Sequence, residues 1–120
     1  AHALHPNKKE KMDITNMPVM GKGFCIKQAC SQSYATDAQA IAILCQLCDE
    51  KGIPYQRFVN RSDSRGGSTL GSIAGTLLPV KTVDIGIPIL AMHSACELMG
   101  VRDMKALSDC VTAFFGYLGK

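Results

Sequence analysis

Three short apolar runs, separated by two amphipathic stretches and followed by a third, constrain this chain more than any other feature. From Gly23 to Cys30, Phe24, Ile26 and Gln28 alternate with Cys25, Lys27 and Ala29. This period of two is that of a strand, and it places Lys27 on the face opposite Phe24 and Ile26. Thr36-Asp37-Ala38-Gln39 matches a capping box. Ile41, Leu44, Cys45 and Cys48 then follow at helical spacing until Gly52 and Pro54 end the element. Tyr55 to Val59 reads as a strand and Asn60 to Gly67 as a polar loop. Ser68 to Leu78 reads as a smaller helix whose Gly71 and Gly75 permit close packing, and Lys81 to Ile87 as a strand, apolar around Asp84. Ser94 to Met99 is predicted to be a short helix. Asp103 is predicted to cap a last one carrying Met104, Leu107, Cys110, Val111, Phe114 and Leu118. The first twenty residues, with Pro6 and Pro18, read as an extended, irregular segment.

Alternation of this kind predicts an α/β fold, a mixed or largely parallel sheet covered by helices. In such sheets ligands gather at the carboxyl ends of strands, so the loops after Cys30, Val59 and Ile87 are candidates for one common site. The 120 residues suffice for one domain, and 47% apolar against 19% charged residues excludes disorder. A net charge of +3, with Lys8, Lys9 and Lys11 interrupted by Glu10 and Asp13, gives no basic stripe for nucleic acid. No apolar run approaches the roughly 20 residues that cross a membrane. No secretory signal opens the chain; the missing initiator methionine and abrupt start suggest processing or a fragment. The six cysteines all sit within apolar pattern, which predicts buried, reduced thiols in a cytosolic protein. Cys45 and Cys48 have zinc-ribbon spacing but no second pair, so core packing is the expectation.

Two residue types carry most of the chemical information. His93 follows an apolar strand and Pro88, beside Ser94. A zinc ion would need further His, Asp or Glu ligands, and His2, His5, Asp63, Asp84 and Glu97 are the available companions. None has a local metal spacing with it, so ligation and a structural hydrogen-bonded role both stay open. Lys27 lies among apolar neighbours, where an ammonium needs an anion. A substrate carboxylate and a structural aspartate such as Asp63 both qualify. The turn from Arg61 to Gly71 has the look of a phosphate cradle, but Ser72 stands where a Walker lysine belongs, leaving anion binding or simple packing. No serine-nucleophile signature surrounds Ser94.

Four segments together resemble the C-terminal part of the M18 family, the aspartyl aminopeptidases. They are Ala1-His-Ala-Leu-His-Pro-Asn7; Gly23-Phe-Cys-Ile-Lys27 with Gln32-Ser-Tyr-Ala-Thr-Asp37; Asn60-Arg-Ser-Asp63 through Gly71; and Thr82-Val-Asp-Ile-Gly-Ile-Pro88 through Ser94. The resemblance implies residues 1–120 of a zinc-exopeptidase-like α/β/α catalytic domain without its N-terminal part and inserted dimerisation domain. It implies His93 as a ligand of one of two zinc ions, His2 beside the reacting carbonyl, and Lys27 and Tyr34 holding the substrate. Lys27 would pair with an acidic side chain at the peptide's N-terminus. The implied partners are an acidic peptide, the remainder of the same polypeptide and further copies in a cytoplasmic dodecamer. One departure is Arg65-Gly66-Gly67, where many relatives have Pro-Cys-Gly. A non-catalytic assembly module and a small anion-binding α/β protein are the competing readings.

Overall fold

A computed structural model of the chain describes residues 1–35 and 37–117. Strand β1 (Phe24–Gln28) is central in a three-stranded sheet, between β2 (Tyr55–Val59) and β3 (Asp84–Gly86). It runs parallel to β2, pairing Phe24 with Tyr55 and Lys27 with Phe58, and antiparallel to β3, pairing Lys27 with Asp84 and Cys25 with Gly86. The sheet is therefore mixed, and helix α1 (Ala38–Lys51) is the crossover that parallel β1 and β2 require.

The alternation in β1 divides the molecule into two layers. Phe24 and Ile26 point to one face and are fully buried against Ile41, Leu44 and Cys48 of α1 and Ala106 and Cys110 of α3 (Val101–Phe115). Burial of each such aromatic or aliphatic side chain contributes about 1.5–3 kcal/mol. Cys25 points the other way and joins Phe58, Tyr34 and Met12, over which the N-terminal segment lies. That segment is extended as predicted, apart from a single 3₁₀ turn at Lys9–Lys11.

Several expectations are corrected. The cap of α1 is Asp37, whose Oδ1 accepts the Ala40 N–H at 2.8 Å; Thr36 of the predicted capping box lies outside the described residues, as does Leu118. Helix α2 is shorter than predicted (Leu70–Leu77) and buries no residue. An added Cβ at Gly75 would meet nothing, so only Gly71, pressed against the Asp84 carboxylate, makes a close approach. The segment from Ser94 to Met99 is not helical. It closes a hairpin between β4 (Ile89–Leu90) and β5 (Leu98–Met99), in which Ala91 and His93 adopt left-handed backbone conformations. Asp103 does not cap α3, a position held by Gly100. It sits in the first turn, fully buried, with its carboxylate accepting the backbone N–H groups of Gly21 at 2.7 Å and Gly23 at 2.8 Å. Cys25, Cys48 and Cys110 are buried as expected, but Cys30 and Cys96 are exposed. Among the described residues no helix is long and apolar enough to cross a membrane.

Candidate functional site

The N-terminal segment and the β4–β5 hairpin meet edge to edge. Ile89 donates its N–H to Ala1 O at 2.9 Å, Ala3 returns one to Ile89 O at 2.8 Å, and His2 bridges Ile89 in parallel. This pairing sets His2 beside the hairpin tip that carries His93. Together with the Lys27 face of β1 and the loop after β2, the two segments enclose a cleft of about 920 Å³. All four predicted site residues, His2, Lys27, Tyr34 and His93, line it. The loops after Cys30, Val59 and Ile87 also converge there as expected, although by a different route. Because β3 is antiparallel to β1, the chain after Ile87 starts beside Cys25, not beside the carboxyl end of β1. It reaches the cleft through the hairpin.

His93 has φ of +68°, a conformation that costs a non-glycine residue on the order of 1 kcal/mol or more and gathers at functional positions. Its N–H donates to Glu97 Oε1 at 2.6 Å. Glu97 thus ties the tip of the hairpin through the His93 backbone. His2 and His93 are close enough for charge on one to affect the other. The His2 pKa is depressed chiefly by partial loss of hydration, and also by His93. The backbone nitrogen of Ala1 donates to Ile87 O at 2.9 Å.

Lys27 lies half-buried over the Tyr34 ring, 5.5 Å from its centroid. An added Cβ on Gly86 would come within 3.0 Å of Lys27 Cε, so the glycine leaves room for the lysine stem. Asp63, one anion considered for Lys27, instead pairs with Arg61. The carboxylate nearest in register is Asp84, and it is already engaged, accepting from Ala35 N at 2.5 Å and Thr69 Oγ1 at 2.6 Å. Those two bonds hold the chain next to Tyr34 and the start of α2. They also put a carboxylate of the chain itself where a phosphate cradle would hold its ligand, which weighs against the anion-binding reading of that turn. Asn60 Nδ2 donates to the Tyr34 hydroxyl at 3.2 Å, and an added Cβ on Gly66 would collide with Asn60.

The sequence offers Asp84 only as a possible companion ligand for a metal at His93, and gives Asn60 no site role. A carboxylate inside an apolar strand was the available signal for the first, whereas nothing local marks the second. Among the described residues no three or more His, Cys, Asp or Glu side chains converge to hold a metal ion. His5 accepts the Asn7 N–H at 3.1 Å on Nδ1, and Cys48 is buried against Cys110 with its thiol raised to about 12, chiefly by desolvation. The His93 imidazole is exposed to the cleft and has the donor chemistry of a zinc ligand, but one nitrogen is not a binding set.

The family model described as Aminopeptidase I zinc metalloprotease (M18) matches residues 1–115. A probable M18 family aminopeptidase 2 from Clostridium novyi is 55% identical over 103 residues, covering 86% of this chain and 24% of that protein. In the cryo-EM structure of the Ape4 and Nbr1 complex, a chain of 36% identity superposes with a TM-score of 0.92 over 96% of this chain and 22% of its own length. The mApe1 dodecamer of S. cerevisiae gives 26% identity and a TM-score of 0.81, over 98% of this chain and 25% of that one. The chain thus spans about a quarter of the length of the relatives it matches. With the match running from its first residue to the end of α3, the chain belongs to the M18 family of zinc metalloproteases.

Proposed function

We propose that these 120 residues form the substrate-gripping wall of a zinc aminopeptidase that removes N-terminal Asp or Glu from peptides. His93 contributes one metal ligand, and the remaining ligands and the catalytic base come from the remainder of the same polypeptide, including the rest of the catalytic domain and an inserted dimerisation domain. The observation that carries this reading is the meeting of His2, Lys27, Tyr34 and His93 in one cleft, from segments up to 91 positions apart.

Bound zinc supplies Lewis-acid polarisation of the scissile carbonyl and an activated water. The residues of this chain bind and orient. His2, its proton affinity lowered, stays neutral at physiological pH and offers a hydrogen bond to the reacting carbonyl. Lys27 has an aromatic face beneath it and no free carboxylate beside it. A half-buried ammonium in that state is complemented by an acidic substrate side chain. Tyr34, fixed by Asn60 and packed on Phe58 with ring centroids 6.2 Å apart, forms the wall behind the lysine.

Exposed apolar residues support a larger polypeptide. Leu70, Ile73 and Leu77 of α2 and Val101, Phe114 and Phe115 of α3 all face outward. Large apolar side chains exposed together on a helix are normally covered. The dodecameric S. cerevisiae neighbour supports a homo-oligomer, and six free cysteines support the reducing cytoplasm.

The test uses the full-length protein. Lys27→Ala should lower kcat/KM for N-terminal Asp substrates by about 10- to 150-fold, the loss expected for a charge-assisted contact of about 1.5–3 kcal/mol, with little effect on neutral N-termini. Equal loss on both would contradict the assignment. Zinc retained unchanged after His93→Ala would favour the assembly-module reading instead.

A further inference from the structure

The cationic side chains of this chain are unevenly distributed. Among the described residues, five of the twelve Lys and Arg side chains line the cleft (Lys8, Lys11, Lys27, Arg61 and Arg65), but only one of the ten acids, Asp13, does so. Elsewhere among the described residues seven cations face nine acids, so positive charge is concentrated at this opening. The single acid is also occupied. Asp13 Oδ2 accepts from Thr15 N and Asn16 N at 3.1 and 2.9 Å, and from both of their side chains. Arg61 is matched by Asp63 and the Glu10 carbonyl.

The other cations differ in depth. Lys27 is half-buried at the sheet, whereas Lys8 and Lys11, on the 3₁₀ turn, and Arg65, in the loop after β2, are exposed. Among the described residues none of the three rim cations makes an ion pair. Beside Arg65, an added Cβ at Gly67 would meet nothing within 4 Å, so the lip has room for a ligand chain.

We propose that the mouth of the cleft is a second anion subsite, formed by Lys8, Lys11 and Arg65, which takes acidic residues following the first residue of a peptide. The inference rests on the aminopeptidase reading, in which the first residue goes deep to Lys27 and the following ones lie toward the opening. A peptide with consecutive carboxylates then meets one cation at depth and three at the rim. Exposed charges act through a screened field, so the effect is sensitive to salt and favours encounter as well as hold.

The experiment compares kcat/KM for Asp-Glu-Glu-amide and Asp-Ala-Ala-amide with the full-length protein. At about 0.02 M salt the acidic peptide should lead by about 5- to 20-fold, and most of that lead should vanish at about 0.5 M. In the triple variant Lys8→Gln, Lys11→Gln, Arg65→Gln the ratio should fall to near one even at low salt. A ratio near one in the unaltered protein, or a lead that survives the triple variant, overturns the proposal. Fluorescence anisotropy of labelled tri-Glu and tri-Gln peptides reads the subsite independently of hydrolysis. If neither peptide is cleaved but tri-Glu binds more tightly and loses that advantage in the triple variant, the peptidase reading fails and the subsite stands. Equal binding of the two labelled peptides refutes the subsite.

Discussion

Replacing Asp103 with Ala should destabilise the chain more than any other single charged-residue substitution. The carboxylate is 0% exposed and accepts two backbone N–H groups, from Gly21 at 2.7 Å and Gly23 at 2.8 Å, about eighty residues away in sequence. Truncation removes both charge-assisted bonds, each worth about 1.5–3 kcal/mol, and leaves the buried Gly23 donor without an acceptor. It also removes an acid from the first turn of α3, worth about 0.3–1 kcal/mol. The expected loss is therefore about 3–5 kcal/mol, a large share of the roughly 5–15 kcal/mol that holds a domain together. The buried Gly23 donor cannot easily find a substitute, because it has φ of +110° and an added Cβ there would run into the backbone of Pro54, whereas the exposed Gly21 N–H can turn to water. Urea unfolding followed by circular dichroism measures the change. With a slope of about 1–2 kcal/mol per molar, the midpoint should drop by about 2 M or more, or the variant should be unfolded before urea is added. Asp103→Asn keeps one acceptor oxygen but turns an amide against the second donor, so it should fall between the two. Lys105→Ala is the contrast: its pair with Asp109 is exposed and should be worth less than about 0.5 kcal/mol. An Asp103→Ala loss below about 1 kcal/mol would refute the reasoning.

The imidazole of His2 should titrate below the ordinary value of 6.5 when followed by NMR, and His93→Ala should raise its pKa because one depressing charge is gone. The unfolded imidazole takes up its proton near 6.5 and the folded one only at lower pH. The stability contribution of His2 is therefore intact above that value and lost as the pH falls through the folded pKa. Under native conditions iodoacetamide should modify the exposed Cys30 and Cys96 and spare Cys25 and Cys48, whose thiols burial raises to about 11 and about 12. Mass spectrometry of the peptides checks this, and equal labelling would show the core to be open.

What the sequence conveyed well is what depends on neighbours close along the chain. The alternation in β1, the stripe of α1 with Gly52 in its left-handed cap, and β2 needed no distant information. The errors arose where distant contacts decide. Ser94 to Met99 contains good helix formers, yet pairing with Ile89–Leu90 and the left-handed turns at Ala91 and His93 make it one side of a hairpin. Asp103 has the look of a cap, but its partners are Gly21 and Gly23, which only the packed sheet brings to it. The antiparallel direction of β3 was not legible either, because a short run such as Asp84–Gly86 has no period that specifies its partner's sense. The site residues were named chiefly through family resemblance. Spacing alone leaves His93 and Lys27 open, and the pairing of Ala1–Ala3 with Ile89, which sets His2 beside the hairpin of His93, is a long-range contact.

The most direct test is zinc anomalous scattering from crystals of the full-length protein grown with zinc and an acidic amino-acid ligand. The account predicts a zinc ion about 2.0–2.1 Å from a ring nitrogen of His93, with the ligand's side-chain carboxylate on Lys27 Nζ. Zinc bound elsewhere, with the His93 ring unliganded and Lys27 turned away from the acid, would contradict it.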